Sequence, residues 1–188
     1  MDKKFLKACA TGDIKTVESL LNCVYASVHN NAAIRIASAN GDVKMVKLLL
    51  TNSRVDPTVI ENQAIRWASQ YGHTEVVRVL LEDPRVDPSD KKQYAISFAS
   101  KNGRLDVVKI LLEDPRVFPG KMNLALLWSS REKHMEIVKL LLEDHRFNTI
   151  NIDHAIRWAK RDNNLKVFQL LTEHLFRLDG SEYNKNII

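Results

Sequence analysis

The side chains of this sequence that could do chemistry are present but not gathered. His73 and His134 are the first candidates, as metal ligands or general bases. They stand 61 positions apart. Each directly follows the same slot of a repeated segment, so they are expected about two repeats apart in space, too far to share a metal ion. Cys-x-x-Cys and His-Glu-x-x-His do not occur, nor do Gly-x-x-x-x-Gly-Lys-Ser/Thr and Gly-x-Gly-x-x-Gly, the spacings that cradle a phosphate. Ser, His and Asp are scattered by repeat register. Cys9 and Cys23 fall in the first repeat, where a bridge is conceivable. Buried free thiols in a reducing compartment are the expectation. The reading is of a protein with no catalytic, metal or cofactor-binding residue, and not of an enzyme.

What remains is chemistry of recognition. One column of residues reads Ala10, Ala39, Gln70, Lys101, Arg131, Arg161, and its neighbour reads Thr11, Asn40, Tyr71, Asn102, Glu132, Asp162. The first passes from small to long and cationic. Its cations either pair with Glu132 and Asp162 or hold carboxylates of another protein, with Tyr71 as an anchor, since tyrosine and arginine are favoured anchors. The candidate partner-binding residues are Gln70, Tyr71, Lys101, Asn102, Arg131, Glu132, Arg161 and Asp162. A second column, Arg54, Arg85, Arg116 and Arg146, stands beside Asp83, Asp114 and Asp144, with Asn52 in the first copy. Ion pairs linking successive connectors are expected there, each worth about 0–1 kcal/mol when exposed. The alternative is a phosphate-binding stripe.

Elements that repeat must position these columns. Residues 64–81 are echoed by 95–112, and a glycine slot recurs at Gly12, Gly41, Gly72 and Gly103, then at Lys133 and Asn163, in steps of 29, 31, 31, 30 and 30. A fixed period in the range of about 20–50 residues marks a solenoid. Each repeat reads as a helical hairpin. Asn31, Asn62, Asn123 and Asp153 are expected to cap the first helix, and Gln93, in the same slot, to cap poorly. The glycine slot ends it in a left-handed conformation, which Lys133 should adopt at a cost of about 1 kcal/mol. The second helix runs from about Thr74 to Glu82 and is apolar around most of its girth. The breaker Asp83-Pro84-Arg85-Val86-Asp87-Pro88 follows. Ile36, Trp67, Phe98, Trp128 and Trp158 share one slot, read as inter-repeat core rather than as a ligand groove.

The fold expected is all-α, an α-solenoid of about six helix-turn-helix repeats with short connectors. The repeats fall at approximately 2–30, 31–61, 62–92, 93–122, 123–152 and 153–176, with a tail at 177–188, in one domain over 1–188. The 188 residues are 45% apolar, with only 6 glycines and 5 prolines, which suits a continuous core. A net charge of +5 from 28 basic and 23 acidic residues is a mild bias, not a nucleic-acid footprint. No apolar run approaches the roughly 18–20 residues of a membrane helix. The N-terminal segment is not read as a secretion signal.

The pattern Ile-Arg-x-Ala-x-x-x-Gly-His-x-x-Val-Val-x-x-Leu-Leu, as in residues 65–81, resembles the ankyrin repeat. The resemblance spans about residues 2–174. It departs where Gln63-Ala64-Ile65-Arg66 replaces the family's Thr-Pro-Leu-His, and where the period is 30–31 rather than 33. It implies shortened β-hairpin fingers and places the two columns of the first helices on a concave groove. With hairpins about 8–10 Å apart, Lys101, Arg131 and Arg161 would span about 20 Å. The Asp-Pro-Arg-Val-Asp-Pro connector resembles that of ankyrin-repeat proteins from large DNA viruses of amoebae. The function expected is non-catalytic protein–protein interaction through the concave face. The partner is an unidentified protein, a host protein with an acidic stretch being the candidate. The chain is expected to be a monomer in the host-cell cytoplasm, with no membrane partner and no cofactor. The alternative is polyanion or nucleic-acid binding through the basic columns.

Overall fold

The computed structural model describes residues 1–23, 28–118, 124–144, 146 and 149–180. Among these, every regular element is a helix: α1 (Asp2–Thr11), α2 (Ile14–Leu20), α3 (Val28–Asn40), α4 (Val43–Leu50), α5 (Val59–Tyr71), α6 (Thr74–Leu81), α7 (Asp90–Lys101), α8 (Leu105–Glu113), α9 (Leu124–Arg131), α10 (Met135–Glu143), α11 (Thr149–Arg161) and α12 (Leu165–Asp179). Odd and even helices pair as hairpins, α1 with α2, α3 with α4, α5 with α6, α9 with α10 and α11 with α12, which is the α-solenoid class. The chain divides into two compact units, Met1–Ala95 and Ile96–Ile188, with the boundary inside α7. In the first unit α1, α3 and α5 pack in succession, as do α2, α4 and α6. In the second, α9 packs on α11, and α10 packs on both α8 and α12.

The hairpins follow from residues at fixed slots. Gly12, Gly41, Gly72 and Gly103 have φ between +69° and +86°. The amide after each of them donates back to a carbonyl of the first helix, as from His73 to Ala68 at 2.9 Å, closing the turn that ends many helices. Lys133 (φ +64°) and Asn163 (φ +51°) hold the same conformation without glycine. Asp13, Asp42 and Asn164 then cap the second helices, accepting from Thr16, Met45 and Val167. Ile34, Ile65, Ile96 and Leu126 from first helices are fully buried, as are Val46, Val77, Val108 and Val138 from second helices. Ala37, Ala68, Ala99 and Ser129 are buried too and let the helices approach closely.

The entry to the first helix differs from the expected cap. Ile60, Glu61 and Asn62 are all left-handed, with φ of 53°, 58° and 55°. The same turn recurs at His29 and Asn31, and at Lys91 and Gln93. The regular right-handed part of α5 therefore starts after Asn62, and a left-handed turn rather than a side-chain cap precedes it. Asn62 does not cap its own helix: its side-chain oxygen accepts from the Asp87 amide at 2.9 Å, as Asn31 accepts from Asp56 at 2.9 Å. Each asparagine thus ties a turn to the following connector. The arginine of the Ala-Ile-Arg segment braces the turn from inside. Arg66 donates to the carbonyls of Ile60 and Glu61, and Arg35 donates to that of His29. Asn123 lies outside the described residues, and Asp153 is exposed within α11.

Both cysteines are free. Cys9 is buried, and burial pushes its thiol up to about 11. Cys23 is exposed, not buried as expected, because it lies in the turn beyond α2.

Candidate partner-binding surface

The proposed contact residues sit at the C-terminal ends of first helices, where the glycine turn lifts side chains off the hairpin. In the first unit, Tyr71 is the last residue of α5 and is 48% exposed. Its ring lies 6.2 Å from that of His73. Gln70, beside it, is half-buried. In the second unit, Lys101, Arg131 and Arg161 end α7, α9 and α11, and all three are exposed. Asn102 is exposed, and its amide donates to the Phe98 carbonyl at 2.8 Å. Glu132 and Asp162 are exposed as well.

The pairing expected of the cations is mostly not made. Among the described residues only Arg161 of the three meets a carboxylate, that of Asp162 at 3.4 Å. Among the described residues neither Lys101 nor Arg131 forms an ion pair, and neither does Glu132. Instead the cations lie over indole rings. The Lys101 ammonium is 5.2 Å from the centre of the Trp128 ring, and the Arg131 guanidinium is 5.6 Å from that of Trp158. Arg161 stacks at 3.4 Å on the same Trp158 ring. Phe98 packs on Trp128 at 5.4 Å between ring centres. Each such contact is worth about 0.5–1 kcal/mol at an exposed site. It orients the charge without neutralising it, so the cations remain open to an external carboxylate.

The sequence pattern places Trp128 and Trp158 in the core. Each is half-buried, with one part in the inter-repeat packing and a face under cations. Their role was detectable only for Arg161, three residues after Trp158 on one helix. The other two cations reach a tryptophan of the next repeat, 27 positions on.

The other columns hold the solenoid together. His73 and His134 send Nε2 to carbonyls of the preceding repeat, Ala39 at 2.8 Å and Lys101 at 3.1 Å. A carbonyl only accepts, so that nitrogen carries the proton. The connector ion pairs lie within each connector rather than between connectors: Arg85 forks Asp83, Arg116 forks Asp114 and Arg146 forks Asp144. The links between connectors are hydrogen bonds from guanidinium to carbonyl, Arg85 to Val55 at 2.9 Å and Arg146 to Val117 at 2.6 Å. The fork holds the carboxyls of Asp83 and Asp114 below the usual carboxylate range. Among the described residues, no group of three or more His, Cys, Asp or Glu side chains comes together. No helix there is long and apolar enough to cross a membrane.

A family model of ankyrin repeats, built of three copies, matches this chain three times, over residues 5–92, 34–123 and 67–153. No curated protein matches the chain. The overlapping matches cover the turns at Gly12, Gly41, Gly72 and Gly103 and the helices from α2 through α10, and the chain belongs to the ankyrin-repeat family.

Proposed function

We propose that this protein is a non-catalytic binding module that captures an acidic segment of a partner protein on the exposed ends of its first helices. Ankyrin repeats are in general protein–protein interaction modules. The observation that carries the finer reading is the set of three exposed cations, Lys101, Arg131 and Arg161. They are seated on Trp128 and Trp158 and meet one carboxylate between them. Arginine and aromatic rings in such arrangements are favoured interface anchors. Asn102, Glu132 and Asp162 flank the cations and would set register along the partner. In the first unit, Gln70 and Tyr71 are the corresponding proposed contact residues. Stacking of nucleic-acid bases is disfavoured, because the indole faces are under the cations.

On this reading the chain is one repeat domain acting as a monomer in the cytoplasm of a host cell. The likeness of its connectors to those of ankyrin-repeat proteins from large DNA viruses of amoebae supports that setting.

A triple change of Lys101, Arg131 and Arg161 to Glu tests the proposal. Fluorescence of the tryptophans reports binding of a glutamate-rich peptide, with a single-stranded oligonucleotide as competitor. The wild type is expected to bind the peptide, and the triple variant to fold normally and lose it. Unchanged peptide binding by the variant would move the site elsewhere. Preference for the oligonucleotide, with a steep fall in affinity as salt rises, would replace this reading by polyanion binding.

A further inference from the structure

The connector arginines are not all satisfied in the same way. Arg85, Arg116 and Arg146 each fork the carboxylate of the aspartate two residues before, with Nε and a terminal nitrogen on its two oxygens. The first connector makes the same turn. The Arg54 amide donates to Asn52 Oδ1 at 3.0 Å, as the Arg85 amide donates to Asp83 Oδ1 at 3.0 Å and the Arg116 amide to Asp114 Oδ1 at 2.9 Å. Here, however, the residue is Asn52. Its oxygen is engaged by that amide, and its nitrogen donates to the Leu21 carbonyl at 3.1 Å. Nothing in the slot offers a second oxygen or a negative charge. The Arg54 side chain is exposed and makes no hydrogen bond or ion pair among the described residues. It opens on a polar groove lined by Asn22, Thr51, Asn52, Ser53 and Arg54. That lining contains hydroxyl and amide groups and no carboxylate.

We propose that this groove is a binding subsite for an oxyanion, a carboxylate or a phosphate, held by the Arg54 guanidinium. The three later connectors show what the fork takes when the chain supplies it: two oxygens of one anionic group. Arginine's planar donors match that geometry bidentately. The hydroxyl of Ser53 and the amide of Asn22 supply further donors at the rim. The subsite lies in the first unit, is independent of the cations of the second, and stands or falls separately from the function proposed above.

The experiment follows the arginine Nε–H signals by NMR at constant ionic strength, with inorganic phosphate in one arm and acetate in the other. The Arg54 signal is expected to move along a saturating curve while those of Arg85 and Arg116 stay in place. Asn52→Asp recreates the connector of the later repeats. It is expected to fill the fork from within and weaken the anion about tenfold or more. Arg54→Gln is expected to abolish binding and serves should the first variant fail to fold. Saturation by phosphate alone or by acetate alone names the source, and saturation by both makes this a general oxyanion site. A wild-type Arg54 signal that moves no more than its sisters, or binding unchanged in Asn52→Asp, overturns the proposal.

Discussion

His73 Nε2 lies 2.8 Å from the carbonyl oxygen of Ala39, and the histidine ring covers Gly41 of the preceding repeat. The glycine is required twice over. Its φ of +74° is left-handed, and a methyl group there would lie 2.7 Å from His73 Cε1. Gly41→Ala therefore combines backbone strain of about 1 kcal/mol with overpacking of about 1–3 kcal/mol. At Gly12 the nearest atom is an Asp42 carboxylate oxygen at 3.3 Å, which needs to give by only a few tenths of an ångström, and the strain should dominate. Thermal unfolding is expected to show a clearly larger loss for Gly41→Ala than for Gly12→Ala. Equal losses would mean that the His73 ring swings aside at no cost.

Lys133 occupies the glycine slot with φ of +64°. Replacing it by glycine relieves the strain, and Lys133→Gly is expected to stabilise the protein by up to about 1 kcal/mol. The urea midpoint is the measurement. A fall in the midpoint would show that the lysine side chain contributes packing that outweighs its backbone.

Acid should weaken the connectors. The side-chain hydrogen bonds from Arg85 and Arg116 lower the carboxyls of Asp83 and Asp114 below their ordinary value of 3.8. A carboxylate with a folded value below its unfolded one contributes stability that is fully present above the unfolded value. That contribution is lost as pH falls through the folded value. The window thus lies at and below pH 3.8. The double variant Asp83→Asn, Asp114→Asn is expected to be less stable at neutral pH and to lose less than the wild type on acidification. Parallel curves of melting temperature against pH would show that these pairs carry no linkage.

The glycine turns were legible in the sequence because a positive φ is a local demand, written at one position. The left-handed turn at Ile60–Asn62 was not. A β-branched residue at φ +53° contradicts local preference, and two contacts hold it: Arg66 of the same segment on the turn's carbonyls, and Asn62 on the next connector. The asparagines looked like caps because capping uses the same side-chain oxygen. The exposed cations were legible as a column. Their tryptophan seats were not, since Lys101 and Trp128 meet only once repeats stack.

Four serines mark a place where the packing is not optimal. Ser38, Ser69, Ser100 and Ser130 fall in one slot of successive repeats, and each is buried to 2% exposure or less. Among the described residues none of the four hydroxyls has a hydrogen-bond partner. Ser129, next in sequence to one of them, does bond, to the Ala125 carbonyl at 2.7 Å. A buried hydroxyl without a partner costs about 1–3 kcal/mol of desolvation, and removing it recovers part of that. Ser69→Ala is accordingly expected to raise stability by about 1 kcal/mol. Ser38→Ala should add to it, since sites in adjacent repeats with no shared partner combine nearly independently. Ser129→Ala removes a bond that is made and should give no gain. Chemical denaturation of the three variants decides the matter. A loss of stability in Ser69→Ala, matching that of Ser129→Ala, would mean that the Ser69 hydroxyl is satisfied in solution and that the column is not a reserve of stability.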